Sequence, residues 1–352
     1  MARETLTTAV LGLDDSGRHM LEAAASTGLF QIKAVADLDQ HKAQKAAAQY
    51  GCEAYADYRQ LIVQNQFDCL LVAADIHTCD EQLRVAMKKK FHLLKLAPPA
   101  RNFEECLEYV RMAESEKVQF AVGNPGRYRS AWTTVHELLA RGAIEQVFLI
   151  AARYSIGAAE QRPWRNDPKL AGGGVLLHEC YPIVDHILRS FPVPEQVYAL
   201  TTNQAPDKQQ RLYLTEDTAV VCMKFGDTLT ASLVATRRHQ IGPDRLSVEI
   251  HGRGTRLTLM DNRVTLDTPE GQEGQQWQYD EGQRLAMERL LSSFALSLLA
   301  PGEHTHASSA AENLRNMAVL ESAYLSARTG FPEEPARILR LAGGPAPAGT
   351  SI

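Results

Sequence analysis

The chain has 352 residues, enough for two domains that each bury a core. Its 45% hydrophobic and 22% charged content are ordinary for a soluble globular protein, and a net charge of −5 argues against the basic stripe of a nucleic-acid footprint. No window approaches the ~18 uncharged apolar residues of a membrane span, and the six scattered cysteines form no Cys-x-x-Cys pair, so neither a zinc site nor a secreted disulfide framework is expected.

The N-terminus, Met1-Ala2-Arg3-Glu4-Thr5, runs into a strand pattern without an apolar signal segment, which points to a cytoplasmic protein. From Leu6 to about Val122 short apolar runs alternate with helix-period segments. Strands are expected at Leu6–Leu11, Gln31–Ala36, Cys69–Ala73, His92–Lys95 and Phe120–Val122. Amphipathic helices are expected between them at Gly17–Ser26, Gln40–Tyr50, Asp80–Lys89 and Phe103–Glu116. The lysine run 88–90 ends a helix pattern, where positive charge complements the helix dipole. Such alternation predicts a parallel sheet covered on both faces, a Rossmann-type dinucleotide-binding domain over residues 1–125.

A helix pattern, Trp132–Arg141, opens a second regime over residues 126–335. Strands rich in β-branched residues are expected at Val147–Tyr154, Gln196–Thr202, Ala219–Phe225, Thr228–Thr236, Leu246–His251, Arg256–Leu259 and Arg263–Leu266. Their hairpin-length spacing predicts a large, mostly antiparallel open sheet in an α+β domain. Helices are expected at Val175–Ser190, Gln283–Leu299 and Ser308–Thr329, and residues 336–352, rich in glycine, proline and alanine, as a mobile tail.

The first strand ends in Gly12-Leu13-Asp14-Asp15-Ser16-Gly17, a variant of Gly-x-Gly-x-x-Gly. In that fingerprint the middle glycine lets a pyrophosphate approach the helix N-terminus. Asp14 takes its place here, adding bulk and like charge, and so opposes NAD or NADP. Asp37 ends the second strand where an acid would hydrogen-bond the adenosine ribose and favour NAD; equally, it could cap the following helix, with Asp39 competing for that role.

The segment Trp164-Arg165-Asn166-Asp167-Pro168, running on to Gly172-Gly173-Gly174, resembles the glucose–fructose oxidoreductase / inositol dehydrogenase / MocA (Gfo/Idh/MocA) superfamily. Gly142-Ala143-Ile144, Glu312-Asn313-Leu314 and the helix Ser322–Gly330 match it as well. The resemblance implies an NAD(P)-dependent oxidoreductase fold, with a sugar or polyol bound between the nicotinamide and the antiparallel sheet. It also implies a homodimer or homotetramer built through that sheet. Cofactor contacts would fall at Gly12, Gly17, Asp37, Ala74 and Pro98, and ligand contacts at Arg127, Trp164, Arg165 and Tyr181.

The family's chemical groups are replaced. Its strand-five Glu-Lys-Pro, whose lysine moves the proton, reads Leu96-Ala97-Pro98. Its aspartate and, four residues later, histidine after the triple glycine become His178 and Pro182; Asp185 is kept. His178 is then a candidate acid–base group, Lys95 a second, and Asp185 a support. No metal is expected. Arg237-Arg238-His239 could meet an anionic ligand, with strand alternation sending the two arginines to opposite faces. The principal expectation is a catalytically degenerate member, a pseudoenzyme or repurposed binder of a sugar- or polyol-like, possibly anionic, molecule. The alternatives are an active NAD(P)-dependent oxidoreductase with a relocated proton donor, or a non-redox enzyme using the same site.

Overall fold

Strands that are apolar without alternation must be covered on both faces, and the first half of the chain solves that problem with helices. In a computed structural model, which describes residues 4–157, 162–238, 242–269, 274–306, 308–341 and 343, the chain divides into two compact units. The first runs to Ala100 and takes in residues 104–128 and 282–313. It contains β1 (Leu6–Leu11), α1 (Asp15–Thr27), β2 (Phe30–Ala36), α2 (Gln40–Tyr50), β3 (Glu53–Tyr55) and α3 (Tyr58–Gln64). After them come β4 (Cys69–Val72), α4 (Ile76–Lys88), β5 (His92–Leu96), α5 (Phe103–Glu116) and β6 (Phe120–Gly123). The six strands are parallel and ordered β3-β2-β1-β4-β5-β6. This is the doubly wound dinucleotide-binding order, with its switch point between β1 and β4. β3 and α3 escaped the sequence reading because Glu53–Tyr55 is a short, mostly exposed strand with no apolar run.

The second unit holds residues 101–103, 129–281 and those from Leu314 on. It comprises α6 (Ser130–Ala140), β7 (Leu149–Ser155), α7 (Pro168–Ala171), α8 (Val175–His178), α9 (Tyr181–Ser190) and β8 (Gln196–Thr202). Next are α10 (Lys208–Arg211), β9 (Thr218–Phe225), β10 (Leu229–Thr236), β11 (Arg245–Gly252), β12 (Thr255–Met260), β13 (Arg263–Asp267) and β14 (Gln275–Gln278). The strands form one eight-stranded sheet, β14-β13-β12-β11-β7-β10-β9-β8, antiparallel throughout except for the β7–β10 pair. Strict alternation along β9 buries Ala219, Val221, Met223 and Phe225 and turns Val220, Cys222 and Lys224 outward.

Three expectations change. α11 (Gln283–Leu299), expected in the second domain, belongs to the first unit, because Met287, Leu290, Leu291, Phe294 and Ala295 complete the core around Val10, Met20 and Leu71. The single helix expected over 175–190 is two, since Pro182 has no N–H to return to the carbonyl four residues back. Beyond α12 (Ala310–Thr329), the start of the expected tail is helical, α13 (Pro335–Leu341); residues 344–352 lie outside the described residues.

Candidate functional site

In the first unit the β1–α1 turn keeps the two glycines that the fold needs. Gly12 has φ of 80°, and a Cβ there would stand 2.5 Å from the Cα of the buried Ala74. A Cβ on Gly17 would lie 1.9 Å from the Gly12 carbonyl oxygen. The middle position serves the helix instead of a ligand: Asp14 is the N-cap of α1, its carboxylate accepting from Gly17 N at 3.1 Å. Asp37, almost fully buried, accepts from Leu13 N at 2.6 Å and from Asp39 N at 2.8 Å. The cap of α2 is Asp39, which accepts from His41 N and Lys42 N. Asp37 therefore ties the fingerprint turn to the end of β2. A carboxylate sits at the N-terminus of α1, where a pyrophosphate would otherwise be received.

At the end of β5, Lys95 is buried and its ammonium donates to the carbonyls of Leu96 (3.1 Å) and Pro98 (3.0 Å). Burial pushes its pKa below the ordinary lysine value, and Cys79, Asp75 and Glu105 partly offset this. Lys95 braces the turn where the family's lysine would stand; Ala97 itself carries no titratable group. Arg127 is buried and pairs with Glu312 at 3.1 Å.

In the second unit, Trp164 and Arg165 lie on a 3₁₀ turn, 163–166, with the Arg165 guanidinium 5.6 Å from the indole centroid. His178 meets the Trp164 ring edge-on at 5.5 Å and bonds through Nε2 to the Ala171 carbonyl at 3.0 Å, so Nε2 carries the proton. Tyr181 is fully buried at the start of α9. Asp185, also buried, accepts from Asn316 Nδ2 at 2.7 Å. Trp164, Arg165 and His178 thus share one neighbourhood, while Asp185 is engaged with α12.

Groups beyond the expected site residues organise this neighbourhood. The buried Glu216 accepts from Gly174 N (2.8 Å), Leu176 N (2.9 Å) and Tyr324 Oη (2.9 Å), anchoring the start of α8. A Cβ on Gly174 would be 1.8 Å from the Glu216 carbonyl oxygen, which is why the run ends in glycine. Burial raises the Glu216 pKa against those hydrogen bonds. On the joint between α8 and α9, Glu179 receives Arg165 Nη1 at 2.5 Å and lies 3.8 Å from Arg237 Nη1. Burial raises its pKa too, and the two arginines pull it back. Glu179 keeps helical backbone angles, which turn it about 100° around from His178 and toward the two arginines. Tyr154 of β7 donates to Asp244 at 2.9 Å, and Arg238 pairs with Asp217 at 2.9 Å. His239 lies outside the described residues.

A family model described as the oxidoreductase family with NAD-binding Rossmann fold matches residues 6–124, and the GFO/IDH/MocA C-terminal domain matches residues 132–258. Over 166 residues the chain is 25% identical to a dTDP-3,4-didehydro-2,6-dideoxy-alpha-D-glucose 3-reductase of Streptomyces violaceoruber, covering 47% of this chain and 48% of that protein. The chain spans about half the length of the curated relatives it matches. Levoglucosan dehydrogenase in complex with NADH and levoglucosan superposes with a TM-score of 0.85 at 16% identity, covering 94% of this chain and 99% of that one. An oxidoreductase from Agrobacterium radiobacter, in complex with NAD+, L-tartaric acid and magnesium, gives 0.83 at 17% identity over 96% and 100%. At these identities the likeness is one of fold.

Proposed function

Since the chain belongs to the Gfo/Idh/MocA oxidoreductase family, with its NAD-binding Rossmann fold, we propose that it is a divergent member that binds a sugar- or polyol-like molecule and has given up lysine-dependent hydride transfer. The observation that carries this reading is the closed dinucleotide turn. Gly17 N is held by Asp14 and Leu13 N by Asp37, so two donors that could face a pyrophosphate are engaged within the protein. Like charges ~4 Å apart near a protein surface repel by about 4 kcal/mol, or about a thousandfold in affinity. The residues present therefore fit a dinucleotide poorly. Ala97 adds the second support, because the Lys95 ammonium is already committed to two carbonyls. His178 is committed to the Ala171 carbonyl, which argues against it as a relocated acid.

Titration of the protein with NADH and NADPH, followed by nicotinamide fluorescence, tests this. No saturable binding is expected at micromolar concentrations; a micromolar Kd for either would overturn it. The alternative, an active oxidoreductase, draws its support from the intact strand order and from Gly12 and Gly17. In that case the carboxylate at Asp37 favours NAD over NADP.

The outward face of the eight-stranded sheet would join two copies of the chain. Leu200, Val220 and Val234, paired in register across β8, β9 and β10, form an exposed apolar row there. The free cysteines suit a reducing compartment such as the cytoplasm.

A further inference from the structure

Glu179 is held in an unbalanced arrangement. Its side chain is only 13% exposed, and both neighbouring guanidiniums converge on one oxygen, Oε1, from Arg165 at 2.5 Å and Arg237 at 3.8 Å. The second oxygen, Oε2, is buried with no hydrogen-bond partner among the described residues, and so is Nε of Arg165. Buried charges ordinarily reach full pairing, because an unmet buried donor or acceptor keeps its full desolvation penalty. The two arginines come from separate elements, the 163–166 turn and the end of β10, so the backbone places them independently of Glu179. The other polar groups facing Glu179 are occupied. Tyr154 donates to Asp244, Asp244 also takes Gly157 N at 2.8 Å, and the Cys180 thiol is held protonated by burial.

We infer that Arg165 and Arg237 form a carboxylate-binding pair, filled by Glu179 in the free protein and taken over by the carboxylate of a sugar acid or hydroxy acid when it binds. This rests on the ligand-binding reading above and narrows its ligand to an anionic class. When the ligand carboxylate arrives, the Glu179 carboxylate takes one proton from solvent and becomes a neutral carboxyl. The site's net charge is then unchanged, and the protonated oxygen can donate to the incoming group. Burial, with Asp244 nearby, already shifts Glu179 toward its protonated form, while Arg165 and Arg237 oppose that shift only as long as they remain its partners. Binding is therefore coupled to proton uptake and weakens as pH rises above the range where Glu179 titrates, by up to tenfold per pH unit.

Calorimetry on the full chain with D-glucuronate, D-galacturonate and D-gluconate, beside the uncharged D-glucose, D-galactose and D-glucitol, tests this. At least one acid should bind tenfold or more tightly than its neutral counterpart. In buffers of different ionisation enthalpy it should take up about one proton per ligand. Glu179→Gln, nearly isosteric, should keep acid binding and lose both the proton uptake and the pH dependence. Arg237→Gln should lose acid binding at least tenfold. Arg237→Lys, which keeps the charge, should lose less. Neutral polyols binding as well as the acids, or acid binding without proton uptake, would overturn the inference and leave the ligand-binding reading standing. Failure of every probe to bind would overturn both.

Discussion

The imidazole of His306 is enclosed in the first unit, with Nδ1 3.2 Å from Ser293 Oγ and its ring edge-on to Phe294. Desolvation, helped by the positive charge of Arg127, pushes its pKa down to about 4. A histidine whose folded pKa is depressed stabilises the fold fully above the unfolded value near 6.5, and that contribution is lost as pH falls toward about 4. Chemical denaturation at a series of pH values should show stability rising across this window by about 3 kcal/mol, and His306→Gln should flatten the rise. At Asp14 the sign concerns binding. Asp14→Gly should cost the α1 cap only about 0.3 kcal/mol while strengthening NADH binding at least tenfold. Adding Ala97→Lys should still give no turnover of sugars, because Pro182 leaves the imidazole position empty of a base. A measurable rate in the double variant would contradict the proposed loss of chemistry. Asp14 was legible from the glycine spacing of the fingerprint, and Ala97 from the family resemblance. The pairing of Glu179 was not, because its two arginines come from other segments of the chain.

Among the elements, α8 is one turn long and too short to hold itself together, since a helix of that length has few internal hydrogen bonds. Its stability comes from outside. The Glu216 carboxylate takes the N–H groups of Gly174 and Leu176, and Tyr324 Oη donates to Glu216 while accepting from Leu177 N at 3.1 Å. Tyr324→Phe removes one hydroxyl that serves both roles and leaves a buried N–H unpaired, which should cost about 2 kcal/mol in urea denaturation. A loss below about 0.5 kcal/mol would mean that α8 is held by apolar packing alone. The Tyr324 helix was recognisable in the sequence as a family motif, but its partner was not. Hydroxyl-to-carboxylate pairing between residues 108 apart leaves no local pattern. The break at Pro182, by contrast, was present in the sequence, where the periodicity of the surrounding apolar residues masked it.

For the whole molecule, the eight-stranded sheet leaves Leu200 57% exposed, with Val220 and Val234 partly exposed beside it. This row is where the proposed interface between two copies would form. Light scattering on the eluting protein should give a dimer or larger assembly, and Leu200→Lys with Val220→Glu should shift it toward the monomer. A monomeric unmodified chain would refute the proposed interface. Both sheets were readable from the sequence by itself, because period-two alternation, unbroken apolar strands and the Gly12/Gly17 spacing each arise from contacts close along the chain. The departure at position 14 was readable for the same reason, whereas those at 97 and 182 came from the resemblance to the family. Only the tertiary structure decided that α11 completes the first core, that Asp37 turns to Leu13, that Lys95 closes on two carbonyls, and that Glu179 meets two arginines. Those pairings follow from how burial and hydrogen-bond satisfaction are balanced once the chain has packed, and no spacing in the sequence encodes that balance.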